Sequence, residues 1–219
     1  MPTPSSSNLS SNQGHRHEPR LTVLICPGFH ASSLTDAFVR SLPAFITPHV
    51  VQQFPADPFT TFQALKHTFE RQPVVAIGFS AGVVGLVGAL TIWQQQGGQI
   101  QRLFAMDGWG IPTIGLPVCR MSHDAFTHWS SVPLGMGNVN FYAEPSVEHL
   151  QMWANPAHVK GWQIGAPSLS TTSLLSTTSS KQLSQKSAAN NHPANNRAAI
   201  SAQLFLHAQL QHCYHELCP

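Results

Sequence analysis

The sequence predicts an α/β fold: a three-layer sandwich in which helices cover both faces of a mostly parallel sheet. Short β-branched runs alternate with segments of helical periodicity, and strands joined through helices pair in parallel. One apolar run leads directly into Gly78-Phe-Ser-Ala-Gly82, and a second apolar run of helical length follows, the setting of a tight strand-to-helix turn. A length of 219 residues and a hydrophobic fraction of 42% suit a single domain with a sizeable core.

Residues 1–20 are polar and bury nothing, so they are expected to form a disordered tail, without the apolar stretch of a signal peptide. The expected core spans residues 21–165. Its strands are expected at Leu21–Cys26, His49–Phe54, Pro73–Ile77, Gln101–Met106 and Asn138–Ala143. Helices are expected over Ser33–Leu42 and from Pro58 onward, where Asp57 can cap and Phe62, Leu65 and Phe69 share one face. The run after Gly82 is expected to be a buried helix. Residues 166–196 are rich in Ser, Thr, Gln and Asn and read as a flexible insertion. Residues 197–217 read as a terminal helix docking on the core, with Asn196 as its cap and Ile200, Leu204 and Ala208 at helical spacing.

Composition narrows the function. Charged residues make up 9% of the chain, against roughly 25% in an average soluble domain, and the net charge is +2. Without clustered Lys and Arg there is no footprint for binding nucleic acid through its phosphates. The uncharged stretch from Val74 to Trp93 is long enough to cross a bilayer, but a buried strand followed by a core helix has the same hydropathy, so no membrane insertion is expected. The 4 cysteines form no Cys-x-x-Cys pair, Cys26 reads as a buried thiol, and the expected compartment is a reducing cytoplasm. Among the 13 histidines, His123 and His128 are five residues apart and no His-Glu-x-x-His run occurs, so no metal is expected. No Gly-Lys-Ser/Thr follows the glycines, and no organic cofactor is implied.

Gly78-Phe-Ser-Ala-Gly82 places Ser80 in a turn where flanking glycines remove the Cβ atoms that would collide with strand and helix. The helix behind it directs free amides and its positive dipole end at the same point. Leu21–Leu42 together with Val74–Leu90 resembles the α/β-hydrolase superfamily of serine hydrolases. Cys26-Pro-Gly28, Asp107-Gly-Trp-Gly110, the Ser122–Trp129 stretch and Phe141-Tyr-Ala-Glu-Pro145 further resemble a set of small, uncharacterised hydrolase-like proteins of photosynthetic bacteria. The resemblance covers about residues 21–165.

It implies a minimal α/β-hydrolase with little or no cap, leaving at most a small lid between Ile111 and Gly137. It also implies a nucleophile, an acid and a histidine in that chain order, with the Phe29 and Ala81 amides forming the oxyanion hole. Ser80 matches the nucleophile. The acid is Asp107, at the end of the strand after the elbow helix, or Glu144, at the end of the strand expected next. The histidine is His149, His123, His128 or His192, and His30 can line the oxyanion loop. The implied reaction is hydrolysis of an ester or thioester through an acyl-enzyme, on an uncharged, fairly hydrophobic small molecule, because Phe29, Phe79, Trp109, Phe126, Trp129 and Phe141 lie near the expected pocket. The alternative is a ligand-binding protein of the same fold, in which Ser80 is only a turn residue.

Overall fold

Side chains along Leu21–Cys26 (β1) alternate between two hydrophobic cores, with Val23 and Ile25 in one and Leu24 and Cys26 in the other. A strand buried on both faces in this way belongs inside a sheet covered by helices on each side. The computed structural model describes residues 19–52, 54–70, 72–108, 110–165 and 198–219. The other strands are Ile46–Val50 (β2), Val74–Phe79 (β3), Ile100–Met106 (β4), Val118–Ser122 (β5), Val139–Ala143 (β6), Lys160–Gly165 (β7) and Ile200–Ser201 (β8). They form one eight-stranded sheet in the order β2-β1-β3-β4-β5-β6-β7-β8. β1 to β6 pair in parallel, whereas β7 and β8 join antiparallel at one edge. The chain therefore has the expected α/β architecture with a mostly parallel sheet.

The helices are Ser32–Ser41 (α1), Pro58–Phe69 (α2), Ala81–Gln95 (α3), Ala125–Ser130 (α4), Gln151–Ala154 (α5) and Ala202–Leu217 (α6). Phe38 of α1, Trp153 of α5 and Phe205 of α6 fill one core, and Leu65 of α2 and Leu86 of α3 fill the other. The start of α2 follows from its sequence: Asp57 accepts hydrogen bonds from the amides of Phe59 and Thr60, and Pro58 opens the first turn. Glycines bring α3 close to its neighbours. A Cβ on Gly85 would lie 2.1 Å from the Pro55 carbonyl oxygen, and one on Gly88 would lie 2.6 Å from Pro58 Cβ.

Several boundaries differ from the sequence reading. β2 begins three residues before His49 and contains Pro48, which an edge strand tolerates because its outer side needs no ladder donors. The interval Ile111–Gly137, expected to hold at most a lid, contains sheet strand β5 and helix α4. The terminal helix starts at Ala202, capped by Ser201, while Ile200 lies in β8. Its buried face carries Phe205, Leu206 and Leu210, and Leu204 is exposed. Asn196, the rest of the 166–196 insertion and residues 1–18 of the tail lie outside the described residues. Arg20, at the end of that tail, is tied to the edge strand by hydrogen bonds to Thr47 Oγ1 and the Ile46 carbonyl. No helix among the described residues is long and apolar enough to cross a membrane. Val74–Trp93 is β3 followed by most of α3.

β5 carries a buried arginine. Arg120 is 2% exposed and forms no ion pair among the described residues. Its guanidinium instead donates to the carbonyls of Gly135 (2.7 Å), Ile111 (2.6 Å) and Gly108 (3.3 Å), and to Thr113 Oγ1 (3.1 Å). Five fixed N–H donors suit this set of acceptors, and lysine has no matching fork. Arg120 thereby ties the loop after β4 to the sheet. Beside it, His128 of α4 is fully buried against Trp129 and Tyr142, and neither ring nitrogen has a hydrogen-bond partner among the described residues. Burial first, and the Arg120 charge second, hold its pKa below the ordinary value.

Two predictions follow from this pair. Arg120→Met removes four hydrogen bonds and leaves the Ile111 carbonyl without a donor among the described residues, while Gly108 and Gly135 keep those from the Ile111 amide and Thr113 Oγ1. It should destabilise the fold by about 2–3 kcal/mol, read as a lower urea midpoint, and Arg120→Lys should recover little of it. For His128 the unfolded chain takes up its proton first as pH falls. The stability associated with the neutral ring is therefore complete above about pH 6.5 and lost below it. The urea midpoint of wild type should fall more between about pH 8 and pH 5 than that of His128→Leu, and equal falls would show that His128 does not contribute.

Candidate active site

Parallel strands deliver their following loops to one edge of the sheet, and here the carboxyl ends of β1, β3, β4, β5 and β6 lead into Pro27, Ser80, Asp107, His123 and Glu144. Clefts outside the carboxyl ends of such strands are the usual ligand sites of open α/β sheets. A cavity of about 480 Å³ opens there, lined by Ser80, Ala81, Asp107, His123, Phe126 and His149 among others.

Ser80 sits between β3 and α3 with φ 52° and ψ −121°, a left-handed conformation that costs a non-glycine residue about 1–3 kcal/mol. Neighbouring contacts hold it there. Its amide donates to the Met106 carbonyl at 2.9 Å. A Cβ on Gly82 would lie 2.0 Å from the Cys26 carbonyl oxygen, and a Cβ on Gly28 would lie 3.0 Å from Ser80 Cβ. The loop after β1, the serine turn and the first turn of α3 are thus pressed together. Ala81 is the first residue of α3, so its amide has no acceptor within the helix. Phe29, whose side chain is 77% exposed, follows Gly28 in the loop beside the serine.

Asp107 directly follows β4 with φ 51°, and its amide donates to the Met121 carbonyl. Its side chain is 1% exposed, and both carboxylate oxygens are occupied. Oδ1 accepts from the His123 amide (2.8 Å) and meets His123 Nδ1 at 3.1 Å, while Oδ2 meets His149 Nδ1 at 3.0 Å. The loop after β6 is anchored to this cluster by the Val147 amide, which donates to the His123 carbonyl. An aromatic stack supports His149. Its ring lies on Phe79 with centroids 4.7 Å apart, Phe79 stacks on Trp153, and Trp153 stacks on Phe38.

The two imidazoles differ at their other nitrogen. His123 Nε2 lies 3.4 Å from Asp124 Oδ2, so this ring stands between two carboxylates. Its hydrogen bond to Asp107 is the main cause that raises its pKa. His149 Nε2 has no protein partner among the described residues, and its side chain is 42% exposed toward the cavity. An imidazole oriented through Nδ1 by a buried carboxylate, with Nε2 open, can accept a proton from a neighbouring hydroxyl. No hydrogen bond joins Ser80 Oγ to either ring among the described residues; contacts of this kind are often longer before a substrate is bound.

The structure brings together Ser80, Asp107, His123 and His149, with Ala81 beside them. Glu144 lies elsewhere. A whole strand, β5, separates its strand from β4, and its carboxylate accepts a hydrogen bond from Trp162 Nε1 next to a different surface cavity. His128 of α4 is buried, and His30, in the loop after β1, packs against Phe79 and Trp153. Phe126 lines the cavity, Phe141 belongs to the core, and Trp129 covers His128. His192 and Trp109 lie outside the described residues. Spacing along the chain gave no sign that His123 and His149 would share one aspartate. The sequence signal for His149 was its place after the strand expected at Asn138–Ala143 and after both candidate acids; His123 had only the Ser122–Trp129 stretch that carries the resemblance, since the strand before it was not legible.

The fold and this cluster define an α/β protein with a mostly parallel sheet and a polar constellation at its carboxyl edge. No protein-family model and no curated protein matches the chain.

Proposed function

We propose that the protein is a serine hydrolase of the α/β-hydrolase type that cleaves an ester or thioester through an acyl-enzyme on Ser80. The observation that carries this reading is the strained Ser80 turn opening into the same cavity as His149, whose Nδ1 is held by buried Asp107. Ser80 Oγ attacks the acyl carbonyl carbon while His149 Nε2 takes the hydroxyl proton. The carbonyl π pair moves onto oxygen, and the amides of Ala81 and Phe29 receive that oxyanion. Donors of this kind are each worth about 10²–10³ in rate. Asp107 holds the ring through Nδ1 and stabilises the imidazolium. The oxyanion collapses, expels the alcohol or thiol, and the leaving group takes the proton from His149. Water, deprotonated by the same ring, then releases the acid and restores Ser80.

His149 is the base in this scheme because its Nε2 is open, whereas that of His123 faces a second carboxylate. His123 is a positioning residue that orients Asp107 through its amide and ring. Val84, Ile111 and Phe126 give the cavity an apolar lining, which favours an uncharged, hydrophobic acyl or alcohol group.

Labelling by a fluorophosphonate probe tests the reading. Wild type should label and Ser80→Ala should not. His149→Ala should slow labelling at least about 10³-fold, His123→Ala about tenfold, and Glu144→Gln hardly at all. Folded wild type that fails to label, or a Ser80→Ala variant that still labels, would overturn the proposal in favour of a ligand-binding protein.

A further inference from the structure

Asp107, His123 and His149 offer one carboxylate oxygen and two imidazole nitrogens within 4.8 Å of one another. These groups come from the loops after three different strands, so the sheet, not a local motif, assembles them. We infer that they form a binding site for a divalent transition-metal cation of the zinc type, and that cation binding and serine chemistry exclude each other by competing for Asp107 and His149.

The donor set selects the cation class. Two imidazoles and one carboxylate suit zinc, cobalt and their neighbours, whereas calcium and magnesium prefer all-oxygen shells. The spacing is also suitable. Zinc bonds of about 2.0–2.1 Å place tetrahedral ligands roughly 3.3 Å apart. The Nδ1 atoms of His123 and His149 already stand 3.1 and 3.0 Å from opposite oxygens of Asp107, and one oxygen and the two ring nitrogens lie within 4.8 Å, so a cation needs only a small inward shift of the partly exposed rings. The protein supplies three ligands, and the adjoining cavity leaves a position for water.

Supporting contacts point the same way. A metal-bound imidazole commonly directs its other nitrogen at a carboxylate, and His123 Nε2 faces Asp124 at 3.4 Å. Asp107 is fixed by the His123 amide, a donor that a bound cation leaves in place. The buried negative charge of Asp107 would be met by the cation, and the partly exposed rings of His123 (24%) and His149 (42%) leave a route to it.

Cation binding does not depend on the hydrolase reading; only the competition does. If Nδ1 of His149 is bound to a cation, it no longer donates to Asp107, and the carboxylate no longer orients the ring. Loading should therefore silence Ser80.

The full chain titrated with Co²⁺ should show visible d–d absorption saturating at one equivalent, and Zn²⁺ should abolish it. His123→Ala and Asp107→Asn should each weaken cobalt binding at least about tenfold, while His30→Ala should not. In wild type, without any variant, Zn²⁺ should protect His123 and His149 from diethylpyrocarbonate, read by peptide mass spectrometry. Stoichiometric binding that is unchanged in folded His123→Ala, or zinc that leaves both rings reactive, would overturn the site.

Fluorophosphonate labelling of wild type should slow in proportion to zinc occupancy, and the residual labelling of His123→Ala should be insensitive to the same zinc concentration. Cobalt absorption without labelling at any metal level would leave the cation site standing and remove the hydrolase reading. Labelling that continues unchanged at full zinc occupancy would overturn the competition.

Discussion

The buried carboxylate of Asp107 is the constraint around which the carboxyl edge of the sheet is arranged. A charge removed from water must be met by donors, and leaving it unmet would cost several kcal/mol. Here the donors come from the loops after β5 and β6, through the His123 amide and the rings of His123 and His149. Each loop is drawn over the end of β4 by the same side chain. The cavity in front of Ser80 takes much of its shape from that convergence, since both histidines and Gly108 line it. The positioned groups of this edge therefore depend on one side chain that is almost inaccessible to solvent.

Ser80 is held by crowding, not by a hydrogen bond of its own side chain. Its left-handed backbone persists because β1, β3 and α3 approach more closely there than side chains would permit. Gly82 meets the Cys26 carbonyl and Gly28 meets the serine itself. The buried hydrophobic side chains of β3 and α3 supply the packing energy that offsets the strain. Stability and site geometry are thus joined: the same contacts that close the core also set the direction of the hydroxyl. Arg120 extends this link, because its guanidinium ties Gly108 and Ile111, both on the cavity wall, to the interior of the sheet.

Much of the fold was readable from pattern because buried parallel strands leave uninterrupted apolar runs. β3 is such a run, β1 and β6 are broken only by Thr22 and Asn140, β4 keeps Leu103–Met106 intact after Gln101 and Arg102, and α2 announces itself through Asp57 and Pro58. β5 was hidden because Arg120 interrupts Val118–Ser122, and only neighbouring carbonyls make burying that cation tolerable. β7 and β8 were hidden for a different reason. Lys160–Gly165 has few apolar residues, and β8 is two residues long, so both derive their structure from strands already in place. Missing β5 also placed Glu144 one strand too close to Asp107 and made it look a comparable acid.

By itself, the sequence determined the alternation of strands and helices, the position of the serine turn and the low content of charged residues. Those properties are local: they follow from residue type, periodicity and the steric demands of glycine, and neighbours along the chain suffice to express them. Only the tertiary structure decided which histidines meet which carboxylate. His123, His149 and Asp107 converge because β4, β5 and β6 lie side by side, and that adjacency is a property of the whole sheet. Spacing rules for a metal or a catalytic base assume ligands carried on one element. Here each group sits at the end of its own strand, so the distance between them is set by sheet packing and strand order and leaves no periodic trace in the chain.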